Sequence, residues 1–259
     1  MARQGTIKPL SFGKSLLLVG VPAVALAVTI DYVVAPFTAR SGRPFFDGYM
    51  VWWIGFMALF FVAALVAYRL EGNVLSWTAF VERYRLQKPH GRTWLWVAGF
   101  LVVHLAVVLV GVTLIGPWAA SMPLFSQPAA FPPELRPSGA ASLVPGEFMG
   151  MSLRGRWWIA VLYFLGWVLN ILGEEFWFRG YLLPRQELTH GRHAWLVHGL
   201  LWSLHHLWQK WTLPVLLPSA FFWAYVAQRT RSTWFTLVAH GVGNVVPLVL
   251  IVVGIAGWS

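Results

Sequence analysis

Two carboxylates and an arginine lie close together in the stretch GEEFWFRGYLLP of an otherwise apolar region. On insertion scales, a charged residue near the centre of a membrane helix costs roughly 2.5–3.5 kcal/mol. Positions four apart share a helix face, so Glu175 and Arg179 form a pair that can neutralise itself. Glu174 points elsewhere, and burial among apolar side chains makes a carboxylate a stronger base. Glu174 is therefore a candidate general base, the alternative being an ion cluster that only holds helices together.

Two further polar motifs follow on separate apolar stretches. HGVGN places His240 and Asn244 on one helix face, where both side chains can donate hydrogen bonds to a developing oxyanion. The alternative for this pair is an interhelical hydrogen bond, worth about 1 kcal/mol in model systems. LLWSLHHLWQ carries His205 and His206, which are adjacent and therefore face different directions. Spacing alone leaves open which of the two faces the glutamates.

The composition predicts an integral membrane protein. Of its 259 residues 58% are hydrophobic and 11% charged, whereas soluble domains are nearer half apolar and a quarter charged. Several apolar runs reach the roughly 20 residues with which a helix crosses a bilayer. We expect an all-α, polytopic transmembrane bundle of about seven (six to eight) spans, forming one integral membrane domain over 1–259. The predicted spans are about 15–36, 49–68, 93–115, 157–182, 194–209, 211–228 and 233–256.

The lysines and arginines between the spans predict the orientation. They are in excess on the side of the N-terminus, which favours a cytoplasmic N-terminus and an external C-terminus in a membrane that we expect to be the bacterial plasma membrane. The net charge of +10 is interpreted as basic loops that meet anionic headgroups, and nucleic acid is not expected as a partner. On the predicted inner side lie Arg3, Lys8, Lys14, Arg69, Arg83, Arg85, Lys88, Arg92, Arg185, Arg192, Arg229 and Arg231.

Two connections and one missing residue type complete the organisation. Residues 70–92 interleave apolar and basic positions, which suits either a short interfacial helix or a solvated loop. Residues 117–153 are rich in Pro and Ala and predict an extended external loop without a core of its own. The chain has no cysteine, so thiolate metal sites and cysteine nucleophiles are excluded.

The three motifs are similar in form and order to the signatures of one family. EEFWFRG resembles the EExxxR signature of the CPBP intramembrane proteases, the CAAX-processing and bacteriocin-processing group, and HGVGN resembles their HxxxN signature. WSLHH resembles their FxxxH signature with Trp202 in place of phenylalanine, which selects His206 over His205. Each motif is weak alone, and the combination is specific. The motifs lie within 150–256, which we expect to form the catalytic core, while the first half resembles only a generic set of membrane helices.

The resemblance implies an intramembrane catalytic cavity and endopeptidase activity on membrane-associated or lipidated peptides and proteins. It implies that Glu174 activates a water molecule and that His206 assists. His240 and Asn244 would hold the oxyanion. Peptide or lipidated protein substrates and membrane lipids are the partners expected from these assignments.

Supporting and metal-binding roles follow from the same comparison. Glu175 and Arg179 are implied to support the catalytic groups. Glu174, His206 and His240 would make a three-ligand site for a divalent metal such as zinc, with water in the fourth position. The same residues can act without metal, with Glu174 as base, and the absence of HExxH favours this slightly.

Two other function classes compete with proteolysis. A non-catalytic member of the same fold would act as a membrane immunity or scaffold protein that binds peptides or partner proteins. A proton-coupled transporter also uses intramembrane Glu and His, but the sequence lacks an inverted repeat and paired broken helices. Proteolysis is the prediction that uses all three motifs.

Overall fold

The computed structural model describes residues 6–87, 91, 93–135 and 145–258, so Arg3, Lys88 and Arg92 of the charge analysis lie outside the described residues. The described part of the N-terminal half consists of helices joined by short connections, in agreement with the expected all-α class. A long first helix is built from α1, a π-helical turn and α2, and α5 continues in the same way into α6. The bounds are α1 Phe12–Thr29, π Ile30–Val34, α2 Ala35–Ser41, α3 Phe45–Leu70, α4 Trp77–Arg83, α5 Thr93–Val110, π Gly111–Ile115 and α6 Gly116–Ala120.

The second half begins after two 3-10 turns, Pro123–Phe125 and Pro133–Leu135, and a small antiparallel hairpin that pairs Glu147 with Ser152. Helix α7 then runs without a break into a π-helical stretch, Glu175–Leu182, called here the π segment. Such stretches are rare and frequently occur at functional sites. The bounds are β1 Glu147–Phe148, β2 Met151–Ser152, α7 Trp157–Glu174, α8 Leu183–His190, 3-10 Gly191–His193, α9 Ala194–His205, 3-10 His206–Thr212, α10 Leu213–Thr230, α11 Thr233–Gly243 and α12 Val245–Ala256.

Five helical segments of the described chain are long and apolar enough to cross a membrane. They are 12–41, 45–70, 97–120, 157–230 and 233–256. The fourth contains α7 to α10 in series. Helix α9 has only 12 residues, or about 18 Å at 1.5 Å per residue, against a hydrocarbon core about 30 Å thick. The polytopic membrane class is supported, and the number of seven spans stays a prediction.

Contacts between loops define two ends of the molecule. At one end the Leu10 N–H donates to the Arg185 carbonyl at 3.0 Å, and the Thr233 N–H donates to the Arg85 carbonyl at 2.9 Å. The loops predicted to share the N-terminal side therefore do lie together. At the other end, the Gly155 N–H donates to the Ile255 carbonyl at 3.0 Å.

The Pro- and Ala-rich connection packs more closely than expected. Phe131, Leu135, Phe148 and Leu153 are buried and belong to the main hydrophobic core of the bundle. Trp211 anchors the segment by donating from Nε1 to the Leu135 carbonyl at 2.7 Å. Its described part thus has no separate core, but it covers one end of the bundle instead of extending away from it.

Close helix contacts hold the motif-bearing elements in place. A Cβ at Gly173 would lie 2.5 Å from the carbonyl oxygen of Met57, so α7 and α3 approach backbone to backbone at this position. Gly173 immediately precedes the two glutamates. The small residue therefore allows the α7 terminus and the π segment to pack tightly against α3.

Candidate active site

Glu174 occupies the last position of α7, where the helix passes into the π segment. Its side chain is buried, and Trp202 of α9 donates from Nε1 to Glu174 Oε2 at 2.8 Å. The second oxygen, Oε1, lies 4.0 Å from His205 Nε2. A buried acid is thus held on one side by a hydrogen bond and faces an imidazole on the other.

The two adjacent histidines have different surroundings. His205 is buried between the rings of Phe60 and Phe178, whose centroids lie 5.0 and 5.1 Å away. His206 is half-buried and begins the 3-10 turn after α9. Its Nδ1 donates to the Trp202 carbonyl at 3.0 Å, and since a carbonyl only accepts, Nε2 keeps its lone pair. His205 is therefore the nearer group to Glu174, while His206 is the more accessible and has a defined tautomer.

Trp202 connects three of these groups. Besides its bonds to Glu174 and His206, its ring lies beneath the guanidinium of Arg179, with Cζ 4.2 Å from the ring centroid. A desolvated cation–π contact of this kind is worth about 2 kcal/mol. The tryptophan that departs from the FxxxH signature thus makes one contact, the Nε1–H donation, that phenylalanine has no atom to make.

The Glu175 carboxylate lies close to two side chains, those of Arg179 and His240. Arg179 Nη1 lies 3.4 Å from Glu175 Oε1, as the i to i+4 spacing predicts. His240 Nδ1 lies 2.9 Å from the same oxygen. All three side chains are buried. The second glutamate is therefore bonded to α11 as well as to its own helix.

The two residues of HGVGN are joined by a backbone hydrogen bond, from the Asn244 N–H to the His240 carbonyl at 3.0 Å, but their side chains differ in burial. His240 is buried in α11, but Asn244 is exposed at the junction of α11 and α12. Both ring nitrogens of His240 are occupied, Nδ1 by Glu175 and Nε2 by Asn170 Nδ2 at 3.3 Å.

The side chains predicted as metal ligands are those of Glu174, His206 and His240. Within the described ranges, no three His, Asp or Glu side chains are close enough together to bind a metal ion. His240 has no free ring nitrogen in this arrangement. The donor set of Glu174, His206 and His240 therefore does not fit a metal as it stands.

An apolar cavity lies beside these residues and not around them. It has a volume of about 580 Å³ and lies between α4, α7 and α11. Ile171 and Gly241, which line it, are three residues before Glu174 and one residue after His240. The other lining residues are Trp77, Leu86, Trp167, Val168, Leu172, Phe176, Trp234, Leu237, Val238, Val242 and Val245. The catalytic cavity expected around Glu174 stays a prediction.

Part of the chain is similar to a known protein family. Residues 156–246 match the model of the type II CAAX prenyl endopeptidase Rce1-like family. This part of the chain is therefore similar to the CAAX protease family. The matched part runs from the start of α7 into α12 and lies within the predicted catalytic core, 150–256. No curated protein and no solved structure matches the chain.

Several residues in contact with the candidate site are absent from the sequence prediction. Asn170 and Trp53 lie behind His240, with Trp53 Nε1 donating to Asn170 Oδ1 at 3.0 Å. His104 of α5 accepts from Trp223 Nε1 at 2.8 Å, and the Trp223 ring lies 5.5 Å from His240. Asn170 and His104 each had a signal in the sequence, since both are polar residues within an apolar helix, and Asn170 lies one turn before Glu174.

Proposed function

We propose that this protein is an intramembrane endopeptidase that hydrolyses peptide bonds of membrane-associated or lipidated peptides and proteins. The similarity of residues 156–246 to the type II CAAX prenyl endopeptidase Rce1-like family supports a protease of this general type. The observation that carries the finer assignment is Glu174, a buried acid bonded to Trp202 and next to His205. Buried ionisable groups inside a membrane protein mark functional sites by default.

Glu174 is proposed to activate the water that attacks the substrate. The 4.0 Å between Glu174 Oε1 and His205 Nε2 is longer than a direct hydrogen bond and suits a bridging water. As the water oxygen bonds to the carbonyl carbon, its proton passes to Glu174. The tetrahedral intermediate then breaks its C–N bond, and Glu174 returns the proton to the leaving amine.

His206 is proposed to assist this water. Its Nδ1 bond to the Trp202 carbonyl directs the ring and leaves the Nε2 lone pair available to accept a hydrogen bond. His205, enclosed by two phenylalanine rings, is more suited to packing beside the acid. The different surroundings of the two histidines therefore suggest different roles, assistance of the water for His206 and packing for His205.

The proposed oxyanion donors are His240 and Asn244. Asn244 is exposed at a helix junction, so its amide is open to a substrate that approaches this end of α11. His240 would first have to leave Glu175, to which it donates at 2.9 Å. Asn244 is therefore the donor whose loss we expect to act on the reaction alone.

The test is a cleavage assay with the purified protein in lipid nanodiscs. Prenylated peptides ending in a CAAX sequence and unmodified apolar peptides are offered, and products are identified by mass spectrometry. Glu174→Gln keeps the size of the side chain but cannot accept the proton, and we expect activity to fall at least about 10²-fold. Retention of wild-type activity by this variant would rule out the proposed base.

Glu187→Gln is the matched control, since it makes the same change in an ion pair with Arg85 away from the site. A partly exposed pair of this kind contributes about 0–1 kcal/mol, so we expect near-normal cleavage. If the wild type binds peptides but cleaves none of them, and Glu174→Gln binds equally well, the scaffold interpretation replaces the protease.

A further inference from the structure

A continuous line of buried hydrogen bonds runs across three helices and into the π segment. Trp53 Nε1 of α3 lies 3.0 Å from Asn170 Oδ1 of α7, and Asn170 Nδ2 lies 3.3 Å from His240 Nε2 of α11. His240 Nδ1 then lies 2.9 Å from Glu175 Oε1. The line thus ends on the carboxylate next to the proposed base.

The chemistry of each group gives the line a single direction. An indole N–H only donates, so Trp53 must face the amide oxygen of Asn170. The amide NH₂ therefore faces His240, and because it also only donates, His240 Nε2 must accept. The remaining proton of the neutral ring is then on Nδ1, from which it is donated to Glu175.

The four hydrogen-bonding side chains are buried, which favours these partners over water. Trp53, Asn170 and His240 are 8%, 7% and 6% exposed, and Glu175 is fully buried, so bulk water does not replace a lost partner. A Cβ at Gly166 would lie 2.5 Å from Trp53 Cζ3, which shows that the indole rests directly on the α7 backbone. The Trp53 ring is therefore held against α7 close to Asn170.

We propose that Asn170, held by Trp53, is a positioning residue that sets the tautomer of His240. With Nδ1 protonated, His240 donates to Glu175 and fixes the start of the π segment, which directly follows Glu174 and carries Arg179. This inference rests on the proposed function only for its effect on cleavage. The tautomer itself is a property of the protein without substrate.

The first readout is therefore spectroscopic. The full chain is labelled with [15N]histidine, reconstituted in nanodiscs, and the protonated and unprotonated ring nitrogens are distinguished by their 15N shifts. The His240 signals are assigned by their loss in His240→Gln. We expect a protonated Nδ1 and an unprotonated Nε2 in the wild type, and the reverse tautomer in the wild type would overturn the proposal.

Asn170→Asp is the decisive variant, because it keeps the shape and the acceptor for Trp53 but replaces the donor that faces His240 with an acceptor. We expect Nε2 to become protonated. His104 is the internal control, because it accepts from Trp223 at Nδ1 and its signals should stay unchanged. An unprotonated Nε2 in a folded Asn170→Asp variant would overturn the proposal.

Cleavage provides a separate second readout. We expect kcat to fall about tenfold in Asn170→Asp, as for partners that orient catalytic groups indirectly, with KM little changed. If the tautomer changes and kcat does not, the positioning role is wrong although the tautomer assignment holds. If the wild type shows the predicted tautomer but no peptidase activity, the proposed function fails independently of this inference.

Discussion

At the scale of single residues, Trp202 has the most contacts with the proposed catalytic groups. Its indole N–H bonds to Glu174, its ring lies beneath Arg179, and its carbonyl orients His206. A hydrogen bond to a charged group contributes about 1.5–3 kcal/mol. Trp202 therefore both restrains the acid and leaves Oε1 as the oxygen that faces the imidazoles.

Trp202→Phe tests this contact alone. The aromatic ring beneath Arg179 and the backbone carbonyl for His206 remain, while the N–H donor to Glu174 is lost. We expect kcat/KM to fall about 10- to 100-fold, the equivalent of the lost hydrogen bond, with little change in the melting temperature.

Trp177→Phe is the control for that substitution. Trp177 is also buried, and its Nε1 has no hydrogen-bond partner among the described residues, so the same atoms are removed without loss of a bond. Equal cleavage by the two variants would show that the Trp202 donor has no role in catalysis.

At the scale of elements, the segment that contains α4 is fastened onto the π segment. Arg83 donates to the Gly180 carbonyl at 2.8 Å and bonds both oxygens of Glu71 at 2.6 Å. Tyr84 donates from its hydroxyl to the Ala64 carbonyl at 2.6 Å, and burial raises the pKa of that hydroxyl, which keeps it protonated. A helix of seven residues is thus placed by its neighbours and not by its own stability.

Gly180→Ala should loosen this attachment. A Cβ at Gly180 would lie 2.8 Å from Tyr84 Cε1 and closer still to Cδ1, so the ring must move. We expect a loss of about 1–3 kcal/mol, seen as a lower melting temperature in detergent and faster proteolysis of residues 71–87.

Gly55→Ala is the matched control, since nothing lies within 4 Å of a Cβ at that helical position. It should be neutral or slightly stabilising. Recovery of stability in the double variant Gly180→Ala/Tyr84→Ala would attribute the loss to the ring. Equal stability of Gly180→Ala and Gly55→Ala would contradict the close packing.

At the scale of the whole molecule, the loops form two groups at opposite ends. The Lys8 carbonyl accepts from Arg185 Nε at 3.1 Å, and Arg85 pairs with Glu187 at 2.6 Å, so the basic loops meet. Phe46 and Met149 meet at the other end. Two groups of loops at two ends are what a membrane-spanning bundle requires, and the excess of basic residues predicts that the first end is cytoplasmic.

The absence of cysteine makes this orientation simple to measure. Single cysteines at the exposed positions Arg192 and Arg231 should react with a membrane-impermeant maleimide only after cells are opened. Cysteines at Arg40 and Arg154, also exposed, should react in intact cells. The unmodified chain is the blank, and the reverse labelling pattern would show that the predicted orientation is wrong.

The helical membrane fold is largely determined by the sequence alone. Long apolar runs with few charges must satisfy their backbone groups within each helix, so composition and run length suffice to predict an all-α membrane bundle. The close placement of Glu175 and Arg179 also follows, because helical geometry is local. The helix boundaries within 157–230 were less predictable, because the positions at which these short helices end and turn depend on their packing.

Partners from distant parts of the chain were decided only by the tertiary structure. Asn170 lies 117 residues from Trp53 and 70 from His240, and Glu174 lies 28 from Trp202. The partner of each ring nitrogen or carboxylate oxygen depends on how the packed helices are rotated and how they cross. The spacing of side chains within one helix contains no information about either. The periodicity of one helix therefore names candidate groups, whereas the packing of several helices selects their partners.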